Sequence, residues 1–183
     1  RIAAFTIKTS KYKPLGGSSY MPTPKDLSAK KAVINVQNTD NRCFGYAILS
    51  AVFPAGKNAC RPNKYIDYFN KVRFDGIEFP VKLSSIQKFE KLNRDFCSTC
   101  KHHNCTNETH EHGLAIYVFE WNKNGPSPLR ISDEIGCKIR LMLLHSEDQW
   151  HYTYIKDFHR LLRHISSYHG RLFWCDKCLY VTR

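Results

Sequence analysis

At 183 residues the chain can bury one proper core, since domains commonly run about 100 to 200 residues. Lysine and arginine number 28 against 16 aspartates and glutamates, and the formal charge of +12 favours acidic or polyanionic partners. The basic residues are scattered (Lys30-Lys31, Arg160, Arg163, Arg171) rather than gathered in one tract, so the expectation is a solvated basic surface with weak nucleic-acid contact, not a dedicated groove. The absence of any apolar run of about 18 residues excludes a membrane-spanning helix, no signal peptide is visible, and an intracellular monomer is expected, in cytoplasm or nucleus. The chain opens at Arg1 and stops shortly after a Cys-x-x-Cys pair, which suits a piece of a longer polypeptide.

In chain order, residues 1–30 lack periodic apolar pattern and carry Gly16-Gly17-Ser18-Ser19, Pro22 and Pro24, which predicts an extended arm laid on the domain. Ala32 to Val36 predicts a short strand. After the polar run Gln37 to Arg42, the spacing of Phe44, Ala47, Ile48, Ala51 and Val52 predicts a helix with Cys43 in its first turn. Pro62 to Val72 repeats apolar residues three and four apart and predicts a second helix, and Ser84 or Ser85 can cap a third carrying Ile86, Phe89 and Leu92. Ile77 to Leu83 reads as extended. Four β-rich runs follow, Leu114–Trp121, Leu129–Ser132, Cys137–Leu144 and His151–Ile155, and then a helix over Phe158–Tyr168 with Asp157 placed to cap it. Helices first and strands after indicate an α+β fold, with N-terminal helices packed on an antiparallel sheet.

A cysteine at a helix N-terminus meets unpaired N–H groups and a partial positive charge that favour its thiolate, so Cys43 is the candidate nucleophile. The loop just ahead of it is polar enough to supply oxyanion donors. A general base is expected from a late strand, and His151 opens one.

Cys97-x-x-Cys100-x4-Cys105-x4-His110 has zinc-ligand spacing, with His112 as an alternative fourth ligand and His102 and His103 nearby. A structural zinc is expected, and no cofactor for catalysis. Cys175-x-x-Cys178 is half of a site. With five of the eight cysteines in such spacings and Cys43 at a helix start, the chain reads as a metal-binding protein of a reducing compartment rather than a disulfide scaffold.

The segments Ala32–Phe44, Gly76–Leu83, Lys88–Asn93 and His151–Asp157 resemble a region of the polyproteins of Maverick/Polinton-type transposons, upstream of the protein-primed DNA polymerase, and the resemblance spans Lys11 to Tyr180. The contexts of Cys43 and His151 are also similar to the deubiquitinases related to herpesviral large tegument proteins. The resemblance implies a papain-like cysteine protease domain over residues 31–170, an inserted zinc-knuckle-like segment at 95–113, and at 171–183 the start of a zinc finger whose histidines would follow Arg183. Gln37 stands at the separation at which papain-like enzymes place their oxyanion glutamine, and Asp40 where ovarian-tumour-type enzymes use the loop. Tegument-type enzymes carry an Asp two residues before the His and ovarian-tumour types an acid two after, where this chain has Gln149 and Thr153. Gln149 could orient the imidazole as papain's Asn does; Asp157 is the other third-residue candidate, although six residues of extended strand span roughly 20 Å.

These readings imply hydrolysis after the C-terminal Gly-Gly of ubiquitin or ubiquitin chains, with Asp40, Glu78, Glu120 and Asp148 as candidate partners for the arginine of the ubiquitin tail. The alternatives are a protease that matures its own polyprotein, or a non-catalytic nucleic-acid-binding module using the basic surface and the aromatics Tyr65, Tyr68 and Phe69.

Overall fold

The computed structural model describes residues 20–146, 149–163 and 173–182. Its centre is a five-stranded sheet in the order β1-β5-β4-β2-β3, with β1 at Val33–Ile34, β2 at Leu114–Asn122, β3 at Gly125–Arg130, β4 at Cys137–His145 and β5 at Trp150–Ile155. Helices α1 (Lys25–Ala29), α2 (Cys43–Val52), α3 (Ile86–Leu92) and α4 (Phe158–Leu162) cover it, and β6 (Phe173–Trp174) and β7 (Val181–Thr182) form a separate small hairpin. The chain is thus a mixed α+β protein. Among the described residues no helix is long and apolar enough to cross a membrane.

Strand periodicity explains the layering. Side chains alternate across a strand, so a strand buried on both faces reads as an almost continuous apolar run. In β4, Ile139, Leu141 and Leu143 join the core beneath α2 and α3, whereas Met142 and Leu144 join a second core with Leu27 of α1 and Phe158, Leu161 and Leu162 of α4. Nearly every residue of α2 is buried, as expected of a helix apolar all round. It also lies close to its neighbours: a Cβ at Gly45 would meet the Phe69 ring at 2.6 Å.

Several expectations change. The sheet is not wholly antiparallel, because β2 and β4 pair in parallel from Leu114↔Cys137 to Glu120↔Leu143. The hairpin β2–β3 reverses the chain once and the 131–136 connection reverses it again, so β4 enters along the other edge of β2 in the same direction. Strand β3 begins at Gly125, earlier than its sequence predicted, since Pro126 and Pro128 argue against a strand but are tolerated on a sheet edge. The helix expected over 62–72 is two 3-10 turns, Pro62–Lys64 and Ile66–Lys71, broken at Tyr65, whose fully buried ring and hydroxyl bond to the Ala59 carbonyl (2.8 Å) pin the backbone there. A 3-10 turn, Leu83–Ser85, leads into α3, and Ser85 makes no side-chain cap bond. The arm is helical at α1, where Leu27 is fully buried and Asp26 accepts a bond from the Trp121 indole (2.8 Å). The later residues of the helix expected over 158–168 lie outside the described residues, as does most of the arm.

One ion pair ties the second half together. The Glu90 carboxylate of α3, fully shielded from solvent, is gripped by the Arg130 guanidinium of β3 and accepts the Ile116 N–H of β2 (2.7 Å), while Arg130 also donates to the Ile116 carbonyl. Breaking a buried pair from one side strands a charge, which costs about 3–5 kcal/mol, whereas replacing both members by apolar groups is often neutral. Urea denaturation should therefore show Glu90→Ala destabilised by about 3–5 kcal/mol, with only part of that loss recovered in Glu90→Leu/Arg130→Met, because the Ile116 N–H still lacks the acceptor that Glu90 supplied.

Candidate active site and metal centre

Cys43 is the first residue of α2 and is 2 % exposed. Burial pushes its thiol up to about 11, against the lowering effect of the Tyr152 and Phe44 backbone N–H groups; the Asp40 charge pushes the same way as burial. In this form the sulfur carries its proton at neutral pH. It lies against the β5 backbone at Tyr152, the residue that follows His151, and the Tyr152 ring is fixed edge-on to Phe44 at 5.4 Å with its hydroxyl on the Val81 carbonyl (3.1 Å).

His151 is fully buried, and its Nε2 meets Asn35 Oδ1 at 2.8 Å. The Asn35 amide is held from the arm: its Nδ2 donates to the Met21 carbonyl (2.7 Å) and to Thr23 Oγ1 (2.9 Å). With both amide protons spent, Oδ1 is the acceptor, so Nε2 of the imidazole must carry the proton and Nδ1 presents the lone pair in the neutral ring. The arm also brings Tyr20 edge-on to the imidazole, at 6.1 Å between ring centroids, with the Tyr20 N–H on the Asn38 carbonyl (3.0 Å).

The structure therefore sets Cys43 of α2 against the β5 backbone at Tyr152, the residue after His151, and gives the imidazole a partner, Asn35, which the sequence reading passed over. A signal existed: Asn35 is the one polar residue in the run Ala32–Val36. The two residues named for the orienting role stand elsewhere. Asp157 is the N-cap of α4, accepting from the Arg160 N–H at 2.8 Å, and Gln149 is an exposed residue of the β4–β5 turn whose carbonyl accepts the Ser146 N–H (2.9 Å).

The pre-helix loop carries the two residues named for the oxyanion, Gln37 and Asp40. Gln37 is exposed and its N–H is spent on the Cys60 carbonyl (2.8 Å). Asp40 is exposed and its carboxylate accepts the Arg42 N–H (3.0 Å), so its side chain shapes the helix entry. Asn38, 1 % exposed, donates to the Asp40 carbonyl at 2.6 Å.

The four residues spaced as ligands do converge. The Cys97, Cys100 and Cys105 sulfurs and a His110 ring nitrogen all lie within 4.8 Å of one another. His110 Nδ1 is 3.5, 3.3 and 3.5 Å from the three sulfurs, and Cys100 and Cys105 are 3.7 Å apart. A tetrahedral zinc with bonds of about 2.0–2.3 Å needs edges of about 3.5–3.8 Å, so the donor set and spacing fit such an ion. Cys100 N–H points at Cys97 Sγ (3.2 Å). Burial raises the Cys97 thiol, but the Cys100 N–H, the Cys105 thiol, the Thr99 N–H and His110 outweigh it and bring it down to about 6. The other histidines are engaged elsewhere: His112 Nε2 on the Asn107 carbonyl (3.1 Å), His102 Nδ1 on the His103 carbonyl (2.7 Å) and His103 Nδ1 on Asp95 (3.0 Å).

The loop is closed at its root by Gly113 N–H on the Phe96 carbonyl (2.8 Å) and Cys137 N–H on the Gly113 carbonyl (2.9 Å). Gly113 has φ +86, and a Cβ there would lie 2.8 Å from the Ile135 carbonyl oxygen. Cys175 and Cys178 form a turn in which the N–H groups of Cys178 and Lys177 lower the Cys175 thiol, and among the described residues they gather no third ligand. That hairpin is fastened to β4 by buried Asp176, bonded to Arg140 (2.6 Å) and Lys138 (2.8 Å).

No family model, no curated protein and no solved structure matches the chain.

His110→Ala should abolish metal retention measured by elemental analysis of the purified protein. His112→Ala should leave it intact, because His112 is not among the converging ligands.

Proposed function

We propose that the chain is a cysteine protease of papain-like mechanism, with Cys43 as nucleophile, His151 as general base and Asn35 as the residue that positions the imidazole. The observation that carries this is the Asn35–His151 bond, which leaves Nδ1 as the basic nitrogen on the strand whose next N–H faces the Cys43 sulfur. Because the thiol sits at about 11, activation proceeds by proton transfer to His151 as the sulfur attacks rather than through a standing ion pair. The thiolate adds to the scissile carbonyl, His151 delivers the proton to the leaving amine, and water, deprotonated by the same imidazole, hydrolyses the thioester to a carboxylate. Zinc at Cys97, Cys100, Cys105 and His110 fills a structural role, having four protein ligands and no open position.

The preferred substrate is the C-terminal Gly-Gly of ubiquitin, on the strength of the resemblance of the Cys43 and His151 contexts to tegument-type deubiquitinases and of the wider chain to the transposon region. Ubiquitin carrying a C-terminal electrophile should add one ubiquitin mass to the wild-type chain and none to Cys43→Ala; Asn35→Ala should slow labelling about 100-fold through imidazole misplacement. No adduct on a wild-type chain whose Cys43 still reacts with iodoacetamide would sink this substrate.

Processing of the chain's own polyprotein is the second reading, and one observation favours it: Tyr20 leans on His151, and Leu15-Gly16-Gly17-Ser18 precedes it by only a few residues. Incubated alone, the wild-type chain should then lose residues 1–17 by intact mass while Cys43→Ala and Gly17→Val stay whole. A wild-type chain that remains intact rules this reading out.

A further inference from the structure

We propose that the cavity between the C-terminal end of α2 and the metal loop binds single-stranded nucleic acid, holding one phosphodiester among three lysines and stacking the adjoining base on Tyr68. The cavity, of about 410 Å³, is walled by Phe53, Pro54 and Tyr68 and carries Lys57, Lys64 and Lys101. No acidic residue lines it. Elsewhere Arg73, Arg94, Arg130, Lys138 and Arg140 are each paired with a carboxylate, whereas among the described residues none of these three lysines is. Three lysines lining one hollow without a counter-charge repel each other, and a phosphate placed between them relieves that repulsion.

The aromatic wall narrows the ligand. Phe53 and Tyr68 are already stacked, 4.3 Å between centroids and 4° from coplanar, and Tyr68 remains 37 % exposed. A base laid on that exposed ring extends the stack, which requires a base out of its duplex and so selects a single strand. Of the three aromatics that the sequence offered for stacking, Tyr68 alone is available: Tyr65 is fully buried and Phe69 packs into the main core.

The site also answers to the metal. Lys101 sits between Cys100 and His102 with φ +64, its N–H on the Cys97 carbonyl at 2.9 Å, so an ion that gathers Cys97 and Cys100 would fix the backbone from which the third lysine reaches the cavity. This role stands independently of any proteolysis.

The test is fluorescence anisotropy of a labelled 12-nucleotide oligodeoxythymidine with the full, metal-loaded chain. Lys57→Glu/Lys64→Glu should weaken binding at least tenfold and flatten the salt dependence by about 0.7 in log–log slope, the loss of one phosphate contact. Tyr68→Ala should weaken it at least fivefold, and chelation of the metal should weaken it as well, while Cys43→Ala binds as wild type. Thermal melts confirm that each exposed substitution leaves the fold intact. Unchanged affinity in Tyr68→Ala would overturn the proposal, as would inorganic polyphosphate competing equally well against wild type and Tyr68→Ala, since the cavity would then be a plain anion patch.

Discussion

Asn35 can hold His151 only because three segments distant in sequence arrive at one place. The imidazole is on β5, the amide follows β1, and the carbonyl and hydroxyl that orient the amide belong to the arm at Met21 and Thr23. A buried polar side chain left without partners costs about 1–3 kcal/mol, so this chain of bonds is as much a constraint on the arm's path as on the imidazole. The pairing of β1 with β5, Val33↔Ile155 and Ile34↔Tyr154, carries Asn35 along β5 toward His151, and α2 then packs its first turn against the same strand. The arm is anchored there by Asn35 as well as by buried Leu27 and the Asp26–Trp121 bond further along.

The same dependence explains what could be read in advance. The helix at Cys43, the strands at 114, 137 and 151, and the Cys-Cys-Cys-His cluster are written in local periodicity or spacing, which survive into the folded chain because neighbours in sequence create them. Asn35 is different. Nothing adjacent to it announces His151, which lies 116 residues away, and only the β1–β5 register makes the two partners. Gln149 and Asp157 were attractive because they are near His151 in sequence, yet one is an exposed turn residue and the other is spent on the N–H of Arg160. The parallel pairing of β2 with β4 was hidden for a similar reason. It follows from a double reversal around a proline-containing edge strand, and strand patterns carry no direction.

The active-site candidate and the metal loop differ in how they are stabilised. Around Cys43 the chemistry is buried, dry and dependent on long-range contacts; burial is also what keeps the thiol protonated. In the metal loop the ligands lie close in sequence and, Cys97 apart, toward the surface, and a bound ion would organise them by coordination rather than packing. The buried Glu90–Arg130 pair holds β2 and β3 against α3 through contacts that involve none of the metal ligands.

The bond that shuts the loop at Phe96 and Gly113 has an evolutionary consequence. When the two ends of an excursion are fixed to each other, the rest of the domain does not register its length, and the entropic cost of lengthening it grows only with the logarithm of the residue count. Such a position accepts insertions and deletions that would be ruinous inside β2 or β4. A lineage that trimmed the excursion to a tight turn would retain its sheet, its arm and its buried imidazole, and would forfeit Lys101 together with the metal, so that the two features would be expected to vanish or persist as one heritable unit.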